Sequence, residues 1–114
     1  MTDCLFCAIA AGDIPADVIH RDDDVLAFRD ISPQAPVHVL VIPRAHHANA
    51  ADLAAADPAL AGRLLAVAGA IADQEGVAES GYRLVTNTGA GAGQSVDHVH
   101  FHLLGGRGLS WPPG

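Results

Sequence analysis

The chain has 114 residues, half of them hydrophobic, and a formal net charge of −7, with no lysine and six arginines as its basic residues. That length suits a single domain over residues 1–114, and the acidic balance argues against nucleic acid as a partner. No run approaches the roughly 20 apolar residues of a membrane span, and the N-terminus lacks the basic-then-apolar layout of a signal peptide, so a cytoplasmic protein with no membrane partner is expected.

In chain order, Asp3 is placed to cap a short helix from Cys4 to Ala11, with Leu5, Phe6 and Ile9 apolar and Gly12 as its stop. Cys4 and Cys7 then lie about one turn apart, and in a reducing compartment this pair points to metal or redox chemistry instead of a structural disulfide. Val18 to Arg21 and Val25 to Arg29 read as strands joined by the acidic turn Asp22-Asp23-Asp24. Pro33 and Pro36 keep the next segment out of a central ladder, and His38 to Ile42 forms a strand that Pro43 ends. Asp57 and Pro58 open a long helix whose Leu60, Leu64, Val67, Ala68 and Ile71 share one face, with Gly76 closing it. Tyr82 to Asn87 is a further strand, joined by a glycine-rich stretch from Thr88 to Ser95 to a last strand, His98 to Leu104. Strands in sequence-adjacent pairs predict an α+β fold, a mostly antiparallel five-stranded sheet with one long and one short helix.

The last strand carries the chemistry. In His98-Val99-His100-Phe101-His102-Leu103-Leu104 the period of two sends Val99, Phe101 and Leu103 to one face and three imidazoles to the other, neighbours about 7 Å apart. A solvated, histidine-rich strand face would show the same alternation. The glycine-rich loop opening onto it can converge backbone N–H groups on an anion, which points to a phosphate held against imidazole. This is no Walker loop, because its Gly-Lys-Ser/Thr is missing. For His100 to attack phosphorus through one ring nitrogen, the other must carry the proton and find an acceptor such as a neighbouring backbone carbonyl. The competing chemistry is a zinc site. His98 and His102 start about 13 Å apart on an extended strand, so three strand histidines cannot share one ion. Cys4 and Cys7 supply half of a tetrahedral set, and His46, His47, His38 or the strand histidines could complete it.

The segment from His98 to Leu104 resembles the His-φ-His-φ-His-φ-φ signature of the histidine triad superfamily, φ being apolar. Asp30 to Pro36, Leu40 to Pro43, Gly81-Tyr82-Arg83, Gly93 to Val96 and the tail from Leu104-Gly105-Gly106-Arg107 through Trp111-Pro112-Pro113-Gly114 are similar to the Hint branch, the histidine triad nucleotide-binding proteins. The resemblance implies the histidine triad fold, an intertwined homodimer with the sheet continued between subunits, and a hydrolase of purine nucleoside phosphoramidates. By the same resemblance His100 is the nucleophile that becomes nucleotidylated, flanked by His98 and His102. Asn87, Gly93, Gln94 and Ser95 match residues at the phosphate and leaving group, and the proton for the leaving amine comes through either His102 or a Ser95-linked relay. Asp30 matches the ribose-hydroxyl acceptor, Ile31 a neighbour of the base, and Phe6, Ile9, Ile14 and Phe28 the apolar walls around the purine. Cys4, Cys7, His46 and His98 resemble a zinc set that is structural in many bacterial members and not required for the chemistry. Trp111 matches a tail residue lying near the active site of the partner subunit. Asp97 and Ala92 depart from the close animal relatives. The alternatives are a dinucleoside polyphosphate hydrolase or nucleotidyl transferase of the same superfamily, and a nucleotide-binding regulatory module.

Overall fold

Helix α1 (Leu5–Ala11) opens the described chain, residues 4–114 of a computed structural model. Its cap is Cys4, whose Sγ accepts from the Cys7 backbone N–H at 3.4 Å; the expected cap, Asp3, lies outside the described residues. Gly12 ends the helix with φ +83°, a left-handed turn natural to glycine, and its N–H folds back onto the Ile9 carbonyl at 3.0 Å.

Strands β1 (Val18–Arg21) and β2 (Val25–Arg29) form the expected hairpin. Its turn is held by Asp22, whose Oδ1 accepts from the N–H groups of both Asp24 and Val25 at 2.8 Å. Strand β3 (Val37–Pro43) pairs with β2, and also with β5 (Phe101–Gly105), which pairs in turn with β4 (Tyr82–Val85). The result is one five-stranded sheet in the order β1-β2-β3-β5-β4, every neighbouring pair antiparallel. It is the α+β architecture expected from the adjacent strand pairs.

Because successive strand residues face opposite sides, the sheet has two interiors. Val25, Ala27, Val39, Val41 and Leu103 pack with Val99 beneath the long helix α3 (Pro58–Gln74), which presents Leu64, Val67, Ala68 and Ile71. Burying a side chain such as Leu64, Val67 or Ile71 contributes about 1.5–3 kcal/mol. Leu26, Phe28, Leu40 and Ile42 meet Phe6, Ile9 and Ala10 of α1 on the other side. The histidines share this second side.

The structure differs from the sequence reading in three places. A third helix, α2 (Ala50–Ala56), precedes α3, capped by the Asn49 side chain accepting from Asp52 N–H at 2.9 Å. Its alanines favour helix, but Leu53 is its only buried residue, so it shows no apolar stripe. Strand β5 starts at Phe101, three residues later than the alternation implied. The Val99 N–H goes instead to the His47 carbonyl at 2.7 Å, and the Pro43 carbonyl receives the His98 ring. Strand β4 stops at Val85, and Thr86 turns its hydroxyl to donate to the His100 carbonyl at 3.0 Å. Among the described residues no helix is long and apolar enough to cross a membrane.

Candidate active site

The three histidines leave the α3 side to Val99 and Leu103 and turn toward α1. His98 and His100 are buried, at 0% and 4% exposure. The His100 ring stands edge-on to Phe6, centroids 5.0 Å apart, and 5.1 Å from the His102 ring. Its Nδ1 lies 2.8 Å from the His98 carbonyl oxygen. A carbonyl can only accept, so Nδ1 carries the proton and the lone pair of Nε2 is left for the cavity. The acceptor is the neighbouring backbone carbonyl that the sequence argument required.

A second chain of contacts settles the protonation of His102. The backbone N–H of Gln34 donates to Nδ1 of His38 at 3.0 Å, so a neutral His38 holds its proton on Nε2. That Nε2 lies 2.9 Å from Nδ1 of His102 and 3.5 Å from Oδ2 of Asp30. His102 therefore accepts on Nδ1 and presents N–H at Nε2. Burial pushes His102 down to about 4, the nearby His100 and His38 rings act in the same direction, and the Asp30 carboxylate opposes them. Burial likewise lowers His38, again against Asp30. Both rings are thus neutral near pH 7, and the chain Gln34–His38–His102 fixes where each proton sits.

Beside these rings is a cavity of about 290 Å³. His100, His102 and Ser95 line it together with Phe6, Ile9, Ile14, Phe28, Asp30 and Ile31, so nine expected site residues share one wall. Phe6 and Phe28 meet edge to face at 5.6 Å. Asp30 is oriented by accepting from Ser32 N–H at 2.8 Å on Oδ1. Ile31 is 98% exposed at the mouth. Asn87, Gly93, Gln94 and Trp111 lie outside this wall. The Gln94 side chain is spent on backbone groups that tie the loop to the segment after β3: its amide nitrogen donates to the Ala48 carbonyl at 2.7 Å and the Val96 carbonyl at 3.0 Å, while its oxygen accepts from Gly89 N–H at 2.9 Å. Gly93, at φ +82°, closes the single turn Ala90–Ala92 within that loop. Trp111 is 83% exposed on its own chain.

The sequence reading missed His38 as a member of this site and offered it only as a metal ligand. Its signal was its parity with Leu40 and Ile42 on β3, which puts it on the α1 side once β3 is paired with β5.

The donor atoms of Cys4, Cys7, His46 and His98 lie within 4.8 Å of one another. Nδ1 of His98 is 3.3 Å from Cys4 Sγ and 3.5 Å from Cys7 Sγ, and Nδ1 of His46 is 3.4 Å from Cys7 Sγ. Zn–S of about 2.3 Å and Zn–N of 2.0–2.1 Å give a tetrahedron S···N edges of about 3.6 Å, so the set has the dimensions of a zinc site. His98 also donates from Nε2 to the Pro43 carbonyl at 2.8 Å, which leaves Nδ1 as the free lone pair. Burial lowers His98 against the effect of that bond, with His46, His100 and His47 adding to the lowering. A second donor group comprises Asp30 together with His38 and His102 of the hydrogen-bonded chain already described.

Three alternating imidazoles on this sheet, His100 and His102 facing the cavity and His98 buried beside the thiols, define a histidine triad protein. The HIT-domain family model matches residues 11–109, and the chain belongs to that family. It is 55% identical over 112 residues to a HIT-like protein of Synechococcus elongatus, covering 98% of this chain and 97% of that one. It is 50% identical over 107 residues to the purine nucleoside phosphoramidase of Escherichia coli, covering 94% and 90%. Among solved structures, a HIT family hydrolase from Legionella pneumophila superposes with a TM-score of 0.95 at 53% identity, covering 98% of this chain and 100% of that one. A histidine triad nucleotide-binding protein from Candida albicans does so with a TM-score of 0.84 at 33% identity, covering 96% and 83%.

Proposed function

We propose that this protein hydrolyses the P–N bond of purine nucleoside phosphoramidates, AMP-amine conjugates among them, through a nucleotidylated His100. The observation that carries the reading is the bond from His100 Nδ1 to the His98 carbonyl at 2.8 Å, which puts the ring proton on Nδ1 and leaves Nε2 as the nitrogen to attack. Nε2 of His100 forms a bond to phosphorus as the P–N bond breaks, and the departing amine takes a proton from Nε2–H of His102. Water then cleaves the phosphohistidine, its oxygen bonding to phosphorus as the N–P bond breaks and its proton returning to Nε2 of His102, which restores the His100 lone pair and releases the nucleoside monophosphate. Phe6, Ile9, Ile14, Phe28 and Ile31 would hold the base, and Asp30 the ribose hydroxyls. Asn87 and the loop around Gly93, kept in shape by Gln94, would offset charge on the phosphoryl oxygens. The identity to a phosphoramidase supports this choice of bond over a dinucleoside polyphosphate.

On this reading Cys4, Cys7, His46 and His98 hold a zinc ion, which would tie α1 to the triad and leave no open coordination position for catalysis. Such a thiolate pair suits the reducing cytoplasm. The protein would act as a homodimer: β4 is a sheet edge able to pair with a second copy, and Tyr82 and Trp111 are apolar surface for a partner to cover.

The test is release of AMP from an AMP-amine conjugate, run beside a dinucleoside polyphosphate, with wild type and His100→Ala. Cleavage of the conjugate, its loss in the variant, and an acid-labile adduct on His100 by mass spectrometry are expected. An adduct on His98 or His102, or unchanged turnover in His100→Ala, would overturn the mechanism.

A further inference from the structure

A second cavity, of about 500 Å³, adjoins the one beside the triad at Ser95. Leu5, Ser95 and Val96 belong to both walls, and Cys4, His46 and Asp97 complete the second. A substrate with its base against Ile14 and Phe28 and its phosphorus at His100 has used the apolar end of the first cavity. Whatever substituent remains on phosphorus must leave on the far side from the nucleophile, since attacking and departing atoms lie in line. The second cavity adjoins the first across Leu5, Ser95 and Val96, next to the position of that substituent.

The chemistry of this second cavity has one sign. Among the described residues Asp97 is its only carboxylate, and no arginine lines it. Cys4 and His46 belong to the compact donor set with Cys7 and His98, so Asp97 is the group left to meet a charge on a ligand. Asp97 is exposed at the rim, where it can reach the far end of a flexible substituent.

We propose that the cavity beyond Ser95 is the subsite of the departing amine, and that Asp97 makes it select amines bearing a second, cationic group. This rests on the phosphoramidate reading above and names its substrate class. The P–N bond broken is the same for every amine; the second ammonium takes no part in the chemistry and pairs with the Asp97 carboxylate. A solvent-accessible pair of this kind is worth about 1.5- to fivefold in selectivity and is screened by salt.

The experiment compares AMP conjugates of butylamine, 1,4-diaminobutane and 4-aminobutanoate, which differ only in the terminal charge. The readout is the ratio of kcat/KM for the diamine conjugate to that for the butylamine conjugate, at low and high salt. Dividing one enzyme's ratio by another's cancels differences in intrinsic reactivity between the amines. Asp97→Asn is expected to lower the ratio about 1.5- to fivefold, Asp97→Glu to keep it, and Asp97→Arg to lower it further while favouring the 4-aminobutanoate conjugate. High salt should erase the difference between wild type and Asp97→Asn. Ratios equal in wild type, Asp97→Asn and Asp97→Arg, with all three conjugates cleaved, would overturn the subsite while leaving the phosphoramidase reading intact. Failure to cleave any conjugate would overturn both.

Discussion

Replacing His38 tests whether the proton on His102 is placed by its neighbour. In His38→Leu the bond of 2.9 Å to His102 Nδ1 is lost, and so is the acceptor for Gln34 N–H at 3.0 Å. His102 is then free to carry its proton on either nitrogen, and the form with Nδ1–H presents no donor to a leaving amine. Removing a partner from a buried polar group costs about 1–3 kcal/mol, which corresponds to roughly 5- to 150-fold in rate if it falls on the transition state. His38 does not line the cavity wall, so kcat should carry the loss and KM should move by less than about twofold. His38→Gln keeps an N–H that can donate to His102 and should recover much of kcat. The assay is steady-state hydrolysis of an AMP-amine conjugate, with thermal melts of each variant to separate folding from catalysis. A kcat for His38→Leu equal to wild type, or an equal loss in His38→Gln at matched stability, would refute the tautomer argument.

Three further outcomes follow from the structure. Cys4→Ser should lower zinc content by elemental analysis and lower Tm, while protein that remains folded keeps much of its turnover; wild type of equal stability without metal would refute the zinc set. His102, ordinarily near 6.5, titrates at about 4 in the folded chain, so between these values the unfolded state binds a proton the folded state refuses. Its contribution to stability is therefore intact above about pH 6.5 and falls by about 2–3 kcal/mol as pH drops toward 4, measurable as a difference between denaturant midpoints of wild type and His102→Asn. Truncation after Gly108 should change selectivity among amines more than affinity for the nucleoside monophosphate, and mixing the truncated chain with His100→Ala should restore full-length selectivity if the tail serves its partner; verified heterodimers that stay altered would refute this.

The parts legible in sequence were those whose signal is local. Alternation through His98 to Leu104 announced which residues enter the core and which face the site, and Val99 and Leu103 are buried with Leu64 and Ile71 as that pattern requires. Asp57 followed by Pro58 marked the start of α3, where the Asp57 side chain accepts from Leu60 N–H at 3.1 Å. What escaped depends on contacts between distant segments. Residues alone left His38, His46 and His47 as equal candidates beside the thiols; pairing of β3 with β5 sends His38 to His102, and the loop after β3 brings His46 to Cys7. Gln94 was expected at the phosphate, but an amide side chain shows nothing in sequence of the three backbone groups that occupy it. Helix α2 was invisible for the opposite reason: alanine signals propensity, while the reading relied on an apolar period that Leu53 alone cannot supply.

Helix α1 is only seven residues long, too short to persist by itself in water. Yet Cys4 and Cys7 at its start belong to the donor set proposed to hold zinc, while Phe6 and Ile9 line the cavity proposed to hold the nucleotide. Two ligands that both require the same fragile segment to be ordered are thermodynamically coupled. If zinc raises nucleotide affinity by some factor, bound nucleotide must raise zinc affinity by that same factor. The metal would thus act beyond holding the fold, and nucleotide occupancy would protect the protein from chelators.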